Sequence, residues 1–173
     1  MKQKVVITDA GPLIALARIE HIHLLHQLFN EVTLTDTVEQ EVLSGQFNDS
    51  VLIKEAIQAG WLHVGGSSAT LTSPITARAQ VEGLDPGEAS SILWAAELQK
   101  AGHSVMLIMD EAKGRKIARQ LSLDMMGSAG VIATAKRLGL IEQAKPLLLR
   151  LSESGYYLSS TVVDMALKIA GED

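Results

Sequence analysis

A chain of 173 residues, 47% hydrophobic and 20% charged, carries enough apolar material for one packed domain spanning 1–173 and too few residues for two comfortable ones, which excludes a disordered chain. The lack of cysteine excludes disulfides and thiolate metal sites and fits a reducing compartment, and 3% aromatics excludes a surface built on stacked bases. At a net charge of −5 the chain is a poor general binder of nucleic acid; residues 1–100 carry 6 basic and 12 acidic side chains against 9 and 8 in 101–173, so phosphate contacts are expected on the second part.

The apolar run near the start is three residues long before Thr8, too short for a signal peptide, and no later stretch is long enough to span a membrane. The expected protein is therefore soluble and cytoplasmic. Val5-Val6-Ile7 reads as a strand buried on both faces, ending at Thr8-Asp9. Gly11-Pro12 is a turn signal, and Pro12 opens a helix to Phe29 with a break near Glu20. Val32-Thr33-Leu34 is a second strand. Asp36-Thr37 cap a helix to Leu43, with Glu39 and Gln40 in capping-box positions, and Ser44-Gly45 stops it. Val51 to Ala59 is helical, Trp61 to Val64 a third strand, Gly65 to Thr72 a loop, and Pro74 to Val81 a short helix.

In the second half, Leu84-Asp85-Pro86-Gly87-Glu88 opens a long helix to Lys100, and Val105 to Met109 is an apolar run ending in Asp110-Glu111. A helix to Leu121 leads to a strand around Asp124-Met125-Met126. Helices follow from Val131, jointed at Pro146 and Gly155, the last an apolar one ending at Ala170. Strands alternating with helices predict a parallel sheet in a three-layer α/β/α sandwich.

Asp9 should stand at the carboxyl end of its strand, at the lip of a strand-to-helix crossover, where open α/β sheets bind ligands. A buried acid there costs solvation unless a cation or donors face it. Asp110 follows a buried run in the same way; the plainer reading is a cap on the next helix, with Glu111 favoured by that helix's dipole. Glu88 is either the third-position partner of an Asp85 capping box or the top of the inward stripe through Ile92. Glu41, between Val38 and Val42, leans inward. Several carboxylates without cysteine suit Mg²⁺ or Mn²⁺, and such a cluster positions water for in-line attack on a phosphodiester. His21, His23 and His26 read as a solvated helix face. Of the basic run Lys113, Arg115, Lys116 and Arg119, Arg115 beside Gly114 is the best phosphate contact.

These motifs carry a resemblance. Asp-Ala-Gly-Pro-Leu-Ile-Ala-Leu at 9–16, Val38-x-x-Glu41-Val42, Leu84-Asp85-x-Gly87-Glu88-Ala89, Ile108-x-Asp110-Glu111-x-x-Gly114-Arg115 and Gly127-x-x-Gly130-Val131 follow the order seen in PIN-domain proteins, nearest a branch related to VapC toxins. The resemblance implies an α/β/α sandwich and a Mg²⁺- or Mn²⁺-dependent ribonuclease. Asp9, Glu41, Glu88 and Asp110 would form its acidic cluster, with Glu111 a supplement to Asp110. It also implies a homodimer and, for toxin-like members, a small antitoxin. Ala10 and Gly11 stand where many such nucleases carry Ser or Thr, and Glu88 stands for an aspartate; this bears on rate and metal affinity more than on fold. The expected function is cleavage of RNA, and the alternative is a non-catalytic PIN-like module that binds a metal or a partner. A phosphotransferase with an aspartyl nucleophile would want a second Asp where Gly11 stands, and the glycine fingerprint of a dinucleotide site is missing after the first strand.

Overall fold

The β-branched run Val5–Thr8 forms β1, which the computed structural model, describing residues 3–45, 48–66, 78 and 80–173, places at the centre of a five-stranded sheet. After β1 come α1 (Ala10–Arg18), α2 (His23–Phe29), β2 (Val32–Thr35), α3 (Asp36–Leu43), α4 (Asn48–Gln58) and β3 (Leu62–Gly66). The second half contributes α5 (Pro86–Lys100), β4 (Val105–Ile108), α6 (Ala112–Gln120), β5 (Asp124–Met126), α7 (Ser128–Arg137), α8 (Lys145–Glu153) and α9 (Ser160–Ala170). The sheet order is β3-β2-β1-β4-β5, and every pairing is parallel.

Register follows the period-2 alternation of the side chains. Val6 pairs with Met106 and Thr8 with Ile108, and Val6, Met106 and Ile108 face one core with Val32, Leu34 and Leu62. Ile7 pairs with Leu107, and both face the other core with Ile92, Trp94 and Ile117. The first core is covered by α1 to α4 and α7 to α9, the second by α5 and α6, which completes the three-layer α/β/α sandwich. The sheet runs from β1 through β2 to β3 on one side and from β4 to β5 on the other. The connection order therefore reverses between β1 and β4, the switch point at whose carboxyl ends open α/β sheets form their ligand crevice.

Several boundaries differ from the sequence expectation. The first helix starts at Ala10, with Pro12 inside its first turn, and is two helices: Glu20 at φ 59° breaks it where the pattern faltered. The third helix is capped by Thr35, whose hydroxyl accepts the Val38 N–H at 3.2 Å, and not by Asp36-Thr37, because β2 passes into α3 with no linker. The helix expected from Val131 begins at Ser128, and β3 extends to Gly66. Most of the expected loop to Thr72 and the helix from Pro74 lie outside the described residues. Among the described residues no helix is long and apolar enough to cross a membrane.

Gly66 ends β3 under the indole of Trp94. A Cβ there would stand 2.6–2.9 Å from ring atoms, and Trp94 is itself only 9% exposed, so the ring has little room to yield. Gly66→Ala is expected to cost about 1–3 kcal/mol, the usual range for overpacking. Thermal melting should fall by several degrees; an unchanged melting temperature would contradict this packing.

Candidate active site

Asp9 extends the β1–β4 ladder by one residue, its N–H donating to Ile108 O at 2.9 Å. It occupies the N-cap position of α1, yet its side chain makes no cap hydrogen bond. Asp9 is 6% exposed and its Oδ1 is buried without a hydrogen-bond partner, a costly arrangement for a carboxylate. Burial pushes the Asp9 carboxyl up to about 7; the Ala10 N–H opposes the shift, and the charges of Glu88, Asp85 and Glu41 add to it.

Those three acids come from two helices that meet at the carboxyl edge. The hydroxyls of Thr35 and Ser90 share a hydrogen bond of 2.7 Å, and Ser90 and Ser91 both donate to Gly87 O at 2.9 Å, which fixes the start of α5 against the start of α3. Asp85 caps α5: its Oδ1 accepts the Glu88 N–H at 2.9 Å, and the Asp85 N–H faces the Glu88 carboxylate in return. Glu88 thus fulfils the capping-box reading, and it also belongs to the acid group, because it is buried and its charge is felt by Asp9. Burial raises the Glu88 carboxyl, reinforced by Asp85 and then Glu111. Glu41 keeps contact with solvent; partial burial and then Asp85 raise its carboxyl too. Gly87 lies between them. A Cβ at this position would collide with Glu41 Oε2 and sit 3.5 Å from Asp85 Oδ1 and 3.6 Å from Asp9 Oδ1.

Asp110 stands across the crevice, two residues beyond the end of β4. It does cap a helix, but α7 rather than α6: its Oδ1 accepts the Ser128 N–H at 2.8 Å. Its Oδ2 accepts a short hydrogen bond from the Tyr156 hydroxyl. Gly127 makes this approach feasible, since a Cβ there would lie 2.5 Å from Asp110 Oδ1. The cap of α6 is Glu111, whose Oε1 accepts the Lys113 N–H at 3.2 Å, so Glu111 faces outward. Arg115 reaches back to the strand end, Nη1 donating to Met109 O at 2.8 Å.

The structure therefore gathers Asp9, Glu41 and Glu88, sets Asp110 opposite them, and leaves Glu111 and Arg115 at the rim. Among the described residues no three acids form a ready group for a metal ion; the carboxylates surround the crevice without clasping. Sequence reasoning missed Asp85, which had already been explained as a cap, and Tyr156, 46 residues from Asp110 with no local motif to flag it. The histidines behave as expected of a helix surface: His21 and His26 donate from Nδ1 to Ile19 O and Asn30 O at 2.6 Å. A cleft of about 750 Å³ beside Arg18, Glu20 and Asp49 lies at the far end of α1 and contains none of the crevice acids.

A family model described as a PIN domain matches residues 5–172. No match is found among the curated proteins or the solved structures. PIN domains are generally nucleases and typically use divalent metal ions, a chemistry consistent with acids gathered at the β1–β4 switch point. With nearly its whole length matched and the three-layer sandwich in place, the chain belongs to the PIN-domain family.

Proposed function

We propose that the chain is a Mg²⁺- or Mn²⁺-dependent endoribonuclease acting in the crevice at the carboxyl ends of β1 and β4. One observation carries the reading: carboxylate oxygens of Asp9, Glu41 and Asp85, from three separate elements, all draw close to the bare Cα of Gly87. Asp9 Oδ1 is buried in that group with nothing to satisfy it, so a cation relieves both its lost solvation and the mutual repulsion. All-oxygen donors suit a hard divalent ion.

Asp9, Glu41, Glu88 and Asp110 would hold the ion, with Asp85 beside them and Glu111 in an outer place. When bound, a divalent ion supplies positive charge for a phosphodiester in displacement and acidifies a water. The chain's own groups do the rest. Burial raises the Glu88 carboxyl, so without the ion it holds a proton more readily than an exposed glutamate does. Asp110, fixed by two donors, presents its carboxylate at one orientation. Arg115 spends Nη1 on Met109 O and keeps its other N–H groups for a phosphate oxygen of RNA.

Assignment as a toxin held by a small antitoxin rests on the VapC-like order of the motifs, and a place in the cytoplasm on the cysteine-free composition. The homodimer of this reading has a surface available on α9, where Val162, Met165 and Ile169 are exposed at helical spacing. The second reading, a non-catalytic module, is favoured by the unclasped arrangement of the acids among the described residues. Purified protein, freed of co-purifying partners, should be incubated with a mixed structured RNA pool in Mn²⁺, Mg²⁺ or EDTA. Cuts with metal and none in EDTA are expected. Metal binding without cuts would select the non-catalytic module, and equal cutting in EDTA would contradict metal dependence.

A further inference from the structure

We propose that Tyr156 is a positioning residue of the crevice, its hydroxyl holding the Asp110 carboxylate at one orientation. The inference rests on the nuclease reading above.

The chain presents this side chain deliberately. Gly155, at φ 89°, reverses direction after α8, and the Tyr156 N–H closes the turn on Leu151 O at 3.2 Å. Tyr156 then turns inward against the first core, while Tyr157 beside it is 86% exposed. The hydroxyl arrives among groups from four elements. It donates to Asp110 Oδ2 after β4. It lies beside the buried Ser128 hydroxyl at the start of α7. It covers Gly11 in the first turn of α1, where a Cβ would come to 3.4 Å from the phenol oxygen. It also stands near enough to Asp9 after β1 to feel that carboxylate's charge.

Both Asp110 oxygens are thereby occupied by donors, one from the main chain and one from Tyr156. Without the phenol, the carboxylate keeps only the Ser128 N–H and is free to swing about it. The group beneath the hydroxyl is a glycine and a longer side chain at that position would meet the phenol, so the space over α1 is shaped for this contact. Partners of this kind, one step behind the groups that meet a metal, commonly change metal affinity or activity by about 10–100-fold.

Tyr156→Phe keeps the ring and removes only the hydroxyl. It should be compared with Asp110→Asn and the double variant, reading Mn²⁺ binding by calorimetry without RNA, kcat and KM for RNA cleavage, and melting temperature. The expected result is roughly a tenfold loss in Mn²⁺ affinity and in kcat, with KM for RNA unchanged. Because Tyr156 acts through Asp110, the double variant should be no weaker than Asp110→Asn alone. A lowered melting temperature with unchanged Mn²⁺ affinity, or losses that simply add in the double variant, would overturn the proposal. A parent that binds Mn²⁺ but cuts no RNA removes the nuclease reading, and the calorimetry still decides the role of Tyr156. A parent that binds no Mn²⁺ overturns both.

Discussion

Asp9→Asn is expected to reduce metal-dependent RNA cleavage by roughly a hundredfold or more, the scale on which a positioned acid contributes. The substitution keeps the shape of the side chain and removes its charge. Three further acids, Glu88, Asp85 and Glu41, raise the Asp9 carboxyl with their own charges, so Asp9 is the point where the field of the crevice converges. The same substitution should stabilise the metal-free protein. A buried carboxylate with an unpartnered oxygen is a liability in the folded state, and an amide removes the charge that burial penalises. Loss of cleavage together with a raised melting temperature separates removal of a working group from general damage. Cleavage at the parental rate by Asp9→Asn would remove Asp9 from the mechanism.

Stability without metal should fall as pH rises from 5 to 8. The sign follows from Asp9: its carboxyl titrates near 3.8 when unfolded and about 7 when folded. Between those values the folded chain binds more protons than the unfolded one, so the stabilisation from holding that proton is complete below the lower value and is lost as pH rises through the upper. Glu88 shifts in the same direction for the same leading cause, burial. At about 1.4 kcal/mol per pH unit, Asp9 alone accounts for a change on the order of 2–4 kcal/mol. Urea unfolding in EDTA across this range measures it. The slope should flatten in Asp9→Asn, and Mn²⁺ affinity should run the other way, strengthening with pH because the ion must displace the same protons. A pH-independent midpoint in EDTA would show that Asp9 is not buried as described.

The frame of the fold was legible because its signals are local and strong. Val5 to Ile7 and Val105 to Ile108 are continuous apolar runs, each followed by an acid, and both became central parallel strands. Their adjacency was not legible, since pairing depends on the crossover and not on either run. That adjacency makes Asp9 and Asp110 face one crevice. Caps were the weakest inference for a physical reason. In Thr35-Asp36-Thr37 and Asp110-Glu111 neighbouring residues can all accept a backbone N–H, and the strand's exit angle decides which one does. Asp85 was hidden by a sufficient local explanation, and Tyr156 by distance along the chain.

The central claim is that the acids around Gly87 take up a divalent ion. Calorimetric titration of Mn²⁺ into the metal-free parent and Asp9→Asn at pH 7.5, without RNA, tests it most directly. The account predicts saturable binding in the parent, with release of protons, and binding weakened at least tenfold in Asp9→Asn, as expected when one ligand of a small oxygen site is lost. Equal binding by the two proteins, or none by the parent, would contradict it.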